Sequence, residues 1–463
     1  MTSDPIPLCV DLDGTLIKTD LLWELLVRVL GRNPLNVFRV FGWALCGLAR
    51  MKTELARRVD FDVSLLPYQT DFLEYLRAEH AKGRRLILVT ASPRFLAEKV
   101  AAHLGFFTEV IATEGRTNLR CRQKARCLVE RFGRGGFDYA GNSRADIPVW
   151  REARHVIVVG APVAGFPNAT VFRVPRTLWR GVFAALRVHQ WAKNLIIFVP
   201  LLTAHHLHEP GLVLPAVWAF AAFSLCASAL YVLNDLLDLE ADRRHASRKN
   251  RPFASGALPI HYGLALVPVL LVAAAGVSSL LPVRFAGVLA LYALLTTLYS
   301  FRVKRIALLD VFWLAGLYSI RLVAGHEATG IPYSAWLLVF SMFIFLSLAL
   351  LKRFQELHVH GGQAHGRGYQ ADDLELISSL GAGSGYLSVI VLALYVNSEQ
   401  VRALYQHPMR LLLICPLFLF WVSRVWLLAH RGELHDDPVW FALRDRASYL
   451  IAAVTLLIIW LAI

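Results

Sequence analysis

Long apolar segments follow one another through the second half of this 463-residue chain and constrain its fold more than any other feature. A helix that crosses the hydrocarbon core of a bilayer needs about 20 predominantly apolar residues. Nine segments approach that length, at approximately residues 190–204, 212–236, 262–281, 283–301, 308–325, 333–351, 378–396, 410–428 and 447–463. The sequence therefore predicts an all-α polytopic membrane bundle of nine transmembrane helices.

The loops between these segments predict the orientation of the bundle. Lys and Arg are frequent in every second loop, for example at Arg243 and Arg244 after the second segment and at Arg302 and Arg305 after the fourth. The intervening loops contain two such residues at most. Because cytoplasmic loops carry an excess of Lys and Arg, we expect the charged loops to face the cytoplasm from the cell (inner) membrane.

Composition supports a membrane protein and gives no indication of nucleic-acid binding. The chain is 56% hydrophobic with a formal net charge of +14, and such a basic excess suits an anionic lipid surface. No basic stripe or zinc-finger spacing is present, so we expect membrane lipid and no nucleic acid as partners. The six cysteines are scattered, which predicts reduced thiols. The first residues show no signal-peptide pattern, and we expect the N-terminal part to stay in the cytosol.

Residues before about 175 follow a different pattern, with short apolar runs separated by charges. Ile6–Val10 and Arg85–Val89 are predicted strands, and helical patterns lie between them. This alternation predicts an α/β domain with a parallel sheet, whose ligands bind beyond the carboxyl ends of the strands. We expect this domain over residues 1–170, a linker over 171–186 and the transmembrane domain over 187–463.

Four polar motifs accompany the predicted strands. They are Asp11-Leu12-Asp13-Gly14-Thr15 after the first strand, Thr90 at the end of the second, Lys124 at the start of a later helix, and Gly141-Asn142-Ser143-Arg144-Ala145-Asp146 after another apolar run. In this order and spacing they resemble the haloacid dehalogenase-like (HAD) phosphatase superfamily over about residues 5–165. The resemblance implies a Rossmann-like α/β fold with a helical cap at about residues 18–83.

These residue types suit hydrolysis of a phosphomonoester. A carboxylate can attack phosphorus to form an aspartyl phosphate, and a second acid can protonate the leaving group and then activate water. The resemblance makes Asp11 the nucleophile and Asp13 the acid/base. It implies that Thr90 and Lys124 hold phosphoryl oxygens. It also implies Mg²⁺ at Asp11, at the carbonyl of Asp13 and at Asn142.

One position departs from the family pattern and leaves two alternatives open. The family usually has an acid where this chain has Asn142, and the remaining carboxylate of that loop is Asp146. An amide contributes no charge to a metal site, so metal affinity should fall. The domain is then either an active phosphatase or a degenerate, regulatory one.

The predicted cap contains a stretch, Leu21–Met51, in which aromatic residues such as Phe38 and Phe41 alternate with arginines such as Arg32 and Arg39. An apolar face with interleaved arginines is typical of helices that lie in the lipid headgroup region. An ordinary cap core is the alternative interpretation.

Carboxylates and cations meet where the second apolar segment ends. Asn234, Asp238 and Asp242 are spaced to share one face of a helix, with Asp235 on its flank. Ionisable residues beside a bilayer cost about 2.5–3.5 kcal/mol each on insertion scales, which makes such a cluster a site hypothesis. Oxygen ligands at this spacing suit Mg²⁺ bound together with substrate phosphates. The alternative is a positively charged cytoplasmic loop with incidental acids.

The acidic pattern after the second of nine segments resembles the UbiA superfamily of membrane prenyltransferases over about residues 180–463. Three further segments resemble the branch that includes decaprenyl-phosphate phosphoribosyltransferase: Leu186–Asn194, Lys352–Leu357 and His435–Asp445. Aromatic prenyltransferases usually carry a second acidic motif after the sixth span, where this chain has Lys352, Arg353 and Glu356.

The resemblance implies transfer of 5-phosphoribose from phosphoribosyl pyrophosphate to polyprenyl phosphate. It implies Mg²⁺ on Asn234, Asp235, Asp238 and Asp242, with Asp235 and Asp238 as catalytic residues. The substrate-binding candidates are Arg187, Lys193, Asn194, Lys249, Arg251, Lys304, Lys352, Arg353 and Glu356.

The HAD-like domain would then remove the 5-phosphate of the product. The alternative is transfer of a polyprenyl group from its diphosphate to an aromatic or other acceptor, beside a degenerate HAD-like domain. Arg321, inside the fifth segment, either pairs with Glu327 or Asp310 or lines a substrate pathway.

Overall fold

The computed structural model describes residues 6–60, 62–113, 119, 121–174, 178–359, 368–434, 441–442 and 444–463. Contacts divide the chain into two compact units. The first unit comprises the residues up to Arg187 together with Tyr231–Pro268. The second unit comprises Val188–Leu230 together with Val269–Ile463.

A parallel β-sheet forms the core of the first unit, as the sequence predicts. Within the described residues it has six strands in the order β3-β2-β1-β4-β5-β6. The strands are Leu8–Val10 (β1), Leu86–Pro93 (β2), Glu109–Thr113 (β3), Asp138–Gly141 (β4), Val156–Val159 (β5) and Thr170–Phe172 (β6). The chain runs outward from β1 to one edge and then returns to the other side of β1. Ligands of α/β sheets bind beyond the carboxyl ends of the strands at such a reversal.

Eight helices of the first unit lie before the acidic pattern. They are Leu21–Arg32 (α1), Asn36–Leu45 (α2), Leu48–Arg58 (α3), Thr70–Ala81 (α4), Arg94–Leu104 (α5), Arg122–Phe132 (α6), Ile147–Trp150 (α7) and Leu178–Leu186 (α8). Helix α1 begins at Asp20, whose carboxylate accepts a hydrogen bond from the Leu22 amide at 2.8 Å. Leu21, Leu25 and Val29 recur every four residues on its buried face and pack into the core of the sheet.

The remaining helices contain the apolar segments. They are Val199–Thr203 (α9), Pro210–Leu237 (α10), Leu239–Arg244 (α11), Ile260–Ser278 (α12), Val283–Phe301 (α13), Leu309–Thr329 (α14), Ala335–Val359 (α15), Leu374–Val396 (α16), Glu399–Leu404 (α17), Ile414–His430 (α18) and Arg446–Ala462 (α19). In the second unit, α14, α15, α16 and α18 share an apolar core that includes Val311, Leu350, Ile377 and Trp426.

Six helical segments among the described residues are long and apolar enough to cross a membrane. They are Pro210–Leu237, Ile260–Ser278, Val283–Phe301, Ala335–His358, Ala371–Val396 and Pro408–His430. Arg446–Ala462 is apolar but shorter. The first predicted segment is divided between the 3₁₀ helix Val188–Phe198 and α9. The fifth, α14, is long enough but contains Asp310, Arg321 and Glu327. The count of nine spans therefore stays a prediction, whereas the all-α, multi-pass character is supported.

Helix α10 ends within the acidic pattern. Asp238 lies between α10 and α11 with φ −96° and ψ 13°. Its amide still donates to the Asn234 carbonyl at 2.9 Å, and the Asp242 amide donates to the Asp238 carbonyl at 2.8 Å. The four-residue spacing is therefore kept across the break, and Asn234, Asp238 and Asp242 follow one another at successive turns.

Candidate functional sites

Asp11 lies directly after β1, where the strand order reverses. Its carboxylate is buried and accepts a hydrogen bond from Lys124 Nζ at 2.7 Å. Lys124 is in the first turn of α6 and also donates to the Tyr139 hydroxyl on β4 at 3.0 Å. Two residues far apart in sequence thus form one ion pair at the carboxyl edge of the sheet.

Asp13 is held by two hydrogen bonds. Its Oδ1 accepts from the Leu21 amide at 2.9 Å, and its Oδ2 accepts from the Ser92 hydroxyl at 2.7 Å. Ser92 also donates its amide to the Thr90 hydroxyl at 3.0 Å, and Thr90 is fully buried on β2. The second motif therefore contacts the first through Ser92, and Asp13 fixes the first turn of α1.

The fourth motif lies against the first. Gly14 has φ +74°, and a β-carbon there would be 2.0 Å from Asn142 Nδ2, so the close approach requires glycine. Asp146 is used within its own loop: it accepts from the amides of Asn142 at 3.1 Å and Ser143 at 3.2 Å. Its other oxygen accepts from the Tyr139 hydroxyl at 3.0 Å. Asn142 is therefore the side chain of this motif that touches the Asp11-to-Thr15 loop.

The electrostatics of this cluster suit acid–base chemistry. Burial raises the pKa of Asp11 to about 7, although the charge of Lys124 opposes the shift. Burial, followed by the charge of Asp20, raises the pKa of Asp13 to about 6. A carboxyl group that titrates near neutral pH can both donate and accept a proton at physiological pH. Burial alone would lower the pKa of Lys124, but Asp11 and Asp146 raise it, so the ammonium stays charged.

Three contributors to this cluster were not predicted from the sequence. Ser92 binds Asp13, Tyr139 bridges Lys124 and Asp146, and Lys52 on α3 donates to the Ala91 carbonyl at 3.1 Å. Ser92 had a usable signal, because it lies two residues beyond Thr90 on the same strand and therefore on the same face. Tyr139 had a similar one, because it lies on β4 two residues before the fourth motif. Lys52 had none, since it comes from a cap helix remote in sequence from the four motifs.

The acidic pattern from Asn234 to Asp242, here called the acidic segment, is paired with arginines of the first unit. Asp235 is buried and binds Arg187 and Arg251, the latter at 3.1 Å. Arg251 also binds the buried Asp242 at 2.7 Å. Burial raises the pKa of Asp242, against the opposing charge of Arg251. One guanidinium thus joins two carboxylates of the segment, while Asn234 and Asp238 are half-buried.

One oxygen of Asp235 is left unsatisfied. Its Oδ2 is buried and has no hydrogen-bond partner among the described residues. Such an atom costs free energy unless a cation or another donor reaches it. No three His, Cys, Asp or Glu side chains in the described part of the chain converge as a metal-binding group. Mg²⁺ can bind with fewer protein ligands than three, because it commonly keeps several waters and takes one or two carboxylates together with substrate phosphates.

Asn194 belongs to a buried polar group in the second unit. Its amide nitrogen donates to the Ser224 hydroxyl at 3.0 Å, and its oxygen accepts from Arg321 Nε at 2.8 Å. Arg321 also donates to the Tyr292 hydroxyl at 3.2 Å. In the described part of the chain, Glu327 accepts from the Tyr333 hydroxyl and Asp310 binds Arg353, and neither pairs with Arg321 as considered from the sequence. Lys193 lies 5.6 Å from the centroid of the Tyr318 ring.

Arg353 is fully engaged within the second unit. It is buried and donates to Asp310 at 2.5 Å, to Glu356 at 2.5 Å and to the Tyr299 hydroxyl at 3.0 Å. Asp310 also accepts from the Tyr369 hydroxyl at 2.5 Å. A phosphate could bind Arg353 only in competition with two carboxylates.

The other substrate-binding candidates occupy less enclosed positions. Lys352 is half-buried near the end of α15, and Lys304 is half-buried in the 3₁₀ turn Val303–Arg305. Lys249 is exposed in the 3₁₀ turn Arg248–Asn250. Most of the segment His435–Asp445, used above for its resemblance, lies outside the described residues.

Comparisons with known proteins agree with this architecture. The UbiA prenyltransferase family model matches residues 195–461, and the haloacid dehalogenase-like hydrolase model matches residues 8–151. The uncharacterized protein y4nM of Sinorhizobium fredii is 38% identical over 467 residues, which cover 97% of this chain and 89% of y4nM.

Similarity to proteins of known activity or structure is more limited. Decaprenyl-phosphate phosphoribosyltransferase of Mycobacterium tuberculosis is 35% identical over 193 residues, which cover 41% of this chain and 64% of that enzyme. The solved structure of a UbiA homolog from Archaeoglobus fulgidus bound to GPP and Mg²⁺ has a TM-score of 0.48 and 14% identity. That alignment covers 60% of this chain and 99% of the homolog.

The UbiA model covers more than half of the chain, and y4nM is similar along nearly all of it. The chain therefore belongs to the UbiA prenyltransferase family and carries a haloacid dehalogenase-like domain ahead of its transferase domain.

Proposed function

We propose that this protein transfers 5-phosphoribose from phosphoribosyl pyrophosphate to a polyprenyl phosphate and then removes the 5-phosphate from the lipid product. In the first step an oxygen of the lipid phosphate bonds to the anomeric carbon while the bond to diphosphate breaks. In the second step the HAD-like domain hydrolyses the phosphomonoester that the first step leaves on the ribose. The 35% identity to decaprenyl-phosphate phosphoribosyltransferase supports this choice of substrates.

The transferase half of the proposal rests on the arrangement around Asp235. This buried carboxylate keeps one unbonded oxygen and lies beside Arg187 and Arg251. Arginine is well suited to binding phosphate groups, so cations and a metal-competent carboxylate are available to the same diphosphate. Asp235 and Asp238 would hold Mg²⁺, with Asn234 and Asp242 as further ligands. When bound, Mg²⁺ would stabilise the negative charge of the departing diphosphate.

The remaining substrate contacts are proposed from sequence position. Lys249 would add positive charge beside Arg251. Lys193, Asn194, Lys304, Lys352, Arg353 and Glu356 stay proposed substrate-binding residues. Asn194 and Arg353 already bind other side chains, so a substrate would reach them in competition with those partners.

The phosphatase half is supported by the cluster at the sheet edge. Asp11 would attack phosphorus and form an aspartyl phosphate as the bond to the 5-oxygen of the ribose breaks. Asp13 would protonate that leaving oxygen and later activate water. Lys124 and Thr90 would bind phosphoryl oxygens. Asn142, lying against the loop of Asp11 and Asp13, would complete a Mg²⁺ site without adding charge. We favour an active phosphatase because Lys124 is already positioned 2.7 Å from Asp11.

The test of the transferase step uses purified full-length protein, ribose-labelled phosphoribosyl pyrophosphate and polyprenyl phosphate. We expect label in the lipid fraction, and we expect Asp235→Asn to reduce the rate at least about 100-fold because it removes a metal-competent charge. Glu98→Gln is the matched control: this exposed acid lies on α5 and pairs with Arg94, outside both proposed sites, so the activity of this variant should stay within about twofold.

A second candidate is prenyl transfer from a prenyl diphosphate to an aromatic or other acceptor, with a regulatory HAD-like domain. The match of residues 195–461 to the prenyltransferase family model favours it. An assay with labelled geranylgeranyl diphosphate and an aromatic acid distinguishes the two candidate functions. Label transfer in that assay, together with none from phosphoribosyl pyrophosphate, would replace our assignment by this one.

A further inference from the structure

Glu24, a buried carboxylate on α1 of the HAD-like domain, binds an arginine that directly follows the acidic segment. Arg243 Nη2 donates to Glu24 Oε1 at 2.5 Å, and Nη1 donates to Oε2 at 3.2 Å, across 219 residues of sequence. Both side chains are almost inaccessible to solvent: Glu24 is 0% exposed and Arg243 4%. Arg28, one turn along α1, also binds Glu24.

Arg243 is held at its other side as well. Its Nε donates to the Ala254 carbonyl at 2.9 Å, which ties α11 to the loop that follows it. That loop contains Arg251, the guanidinium that binds Asp235 and Asp242. Glu24 therefore binds Arg243, and Arg243 directly follows Asp242, one of the carboxylates proposed to hold Mg²⁺.

Apolar contacts fix α1 against the same segment. Val27 of α1 packs with Leu236, Leu239 and Phe253 in one buried cluster. A β-carbon on Gly31 would lie 3.3 Å from Leu237 Cδ2, so the end of α1 touches the last residue of α10. Leu236, Leu237 and Leu239 of the acidic segment thus lie close to α1.

The loop after the acidic segment also approaches the HAD-like domain closely. Gly256 has φ +74°, and a β-carbon there would be 2.6 Å from Lys18 Cβ and 3.3 Å from a carbon of Pro67. A larger residue at this position would push the loop of Gly256 away from Lys18 and Pro67. The ion pair at Glu24 is thus one of several contacts between the two parts.

We propose that Glu24 is a positioning residue for the transferase: through Arg243 it holds the acidic segment and Arg251 in the arrangement that binds a diphosphate. The inference rests on the proposed function and extends it, because it makes the cap helix of the HAD-like domain part of the transferase site. A chain with an inactive phosphatase would still need α1 in place.

The charge balance around Glu24 explains why an amide would not suffice. Burial alone would raise the pKa of Glu24, but Arg243 and Arg28 lower it, so the group is ionised. Removing the negative partner of a buried ion pair leaves the positive charge uncompensated. The remaining cationic side chain then moves toward solvent or toward another anion. In Glu24→Gln, two buried arginines would lose their shared anion. Arg243 would then be free to compete for Asp242 or for the incoming diphosphate.

The experiment measures binding of inorganic pyrophosphate, in excess Mg²⁺, to purified full-length protein by calorimetry. The pyrophosphate binding that is lost in Asp235→Asn is assigned to the acidic segment. For this Asp235-dependent binding, Glu24→Gln should raise the Kd at least about tenfold, which is a loss of about 1.4 kcal/mol of binding free energy. Glu98→Gln, an exposed acid-to-amide control on α5 outside the acidic segment, should change it less than about twofold.

A double-mutant cycle separates positioning from general destabilisation. If Glu24 acts through Arg243, the Glu24→Gln/Arg243→Gln double variant should bind pyrophosphate no more weakly than Arg243→Gln alone. Thermal unfolding of all variants is recorded beside the Kd. A lower melting temperature in Glu24→Gln with an unchanged Kd, or Kd effects that add, would overturn the inference. Absence of Asp235-dependent binding in the wild-type protein would instead remove the proposed function, and this inference with it.

Discussion

At the scale of single residues, local spacing predicted which carboxylates occur together but not what they bind. Asn234, Asp238 and Asp242 follow one another at four-residue intervals as expected, because helical periodicity determines neighbours at that separation. Their partners come from farther along the chain. Glu24 and Arg243 are 219 residues apart, and no periodic pattern carries information over that distance.

Arg353 is a second residue whose partners could not be predicted from the sequence. Its place after the sixth apolar segment suggested a phosphate ligand, yet it is buried against Asp310 and Glu356. A buried guanidinium needs several acceptors, and the sequence does not show which acceptors the fold supplies. The cluster at Asp11 was easier to predict, because the carboxyl ends of parallel strands meet at one edge of the sheet.

Ser92 provides a residue-scale prediction about the phosphatase. Its hydroxyl donates to Asp13 at 2.7 Å, and hydrogen bonds to charged groups contribute about 1.5–3 kcal/mol. Ser92→Ala should therefore lower the turnover of p-nitrophenyl phosphate about tenfold, with Asp11→Asn defining the background. Ser64→Ala is the control, since Ser64 bonds to the exposed Asp62 outside the cluster. Equal turnover in the Ser92 and Ser64 variants would mean that Ser92 does not position Asp13.

At the scale of elements, the central strands β1 and β2 were predictable because central strands of a parallel sheet are continuous buried runs. Leu8–Val10 and Leu86–Pro93 lie within or overlap the runs identified from the sequence. The membrane helices were predictable where they are uniformly apolar. The segment at 190–204 was not, because the structure divides it between the 3₁₀ helix Val188–Phe198 and the short helix α9, Val199–Thr203.

Helix α2 carries the element-scale prediction. Phe38, Phe41 and Leu45 are 75%, 67% and 76% exposed, which is unusual for large apolar side chains on one short helix. It follows α1, whose end touches the last residue of the apolar helix α10. We therefore expect α2 to lie in the lipid headgroup region, as the interleaved arginines of the stretch Leu21–Met51 suggested.

A spin label tests this placement in the full-length protein in nanodiscs, after the exposed Cys46 is replaced by serine. A label at Phe41→Cys should be more accessible to oxygen than to a water-soluble nickel reagent. A label at Arg77→Cys, on the exposed side of α4, should show the opposite order. If both labels prefer the nickel reagent, α2 is a solvent-facing cap helix.

At the scale of the whole molecule, the two activities that we propose fit in sequence. A phosphoribosyl transfer leaves a phosphomonoester on the lipid-linked ribose, and we propose that the cluster around Asp11 cleaves that class of bond. The first compact unit contains both the HAD-like sheet and the acidic segment, joined through α1. This sharing of one unit was not predictable from the sequence, where composition changes sharply near residue 175.

The most direct test of the two-step account follows two labels through the full-length protein. Phosphoribosyl pyrophosphate labelled in the ribose and, separately, in the 5-phosphate is incubated with polyprenyl phosphate and Mg²⁺. We predict that both labels enter the lipid first, and that the phosphate label is then released while the ribose label stays. In the Asp11→Asn variant both labels should remain in the lipid fraction. A lipid fraction that never acquires the ribose label would contradict the account.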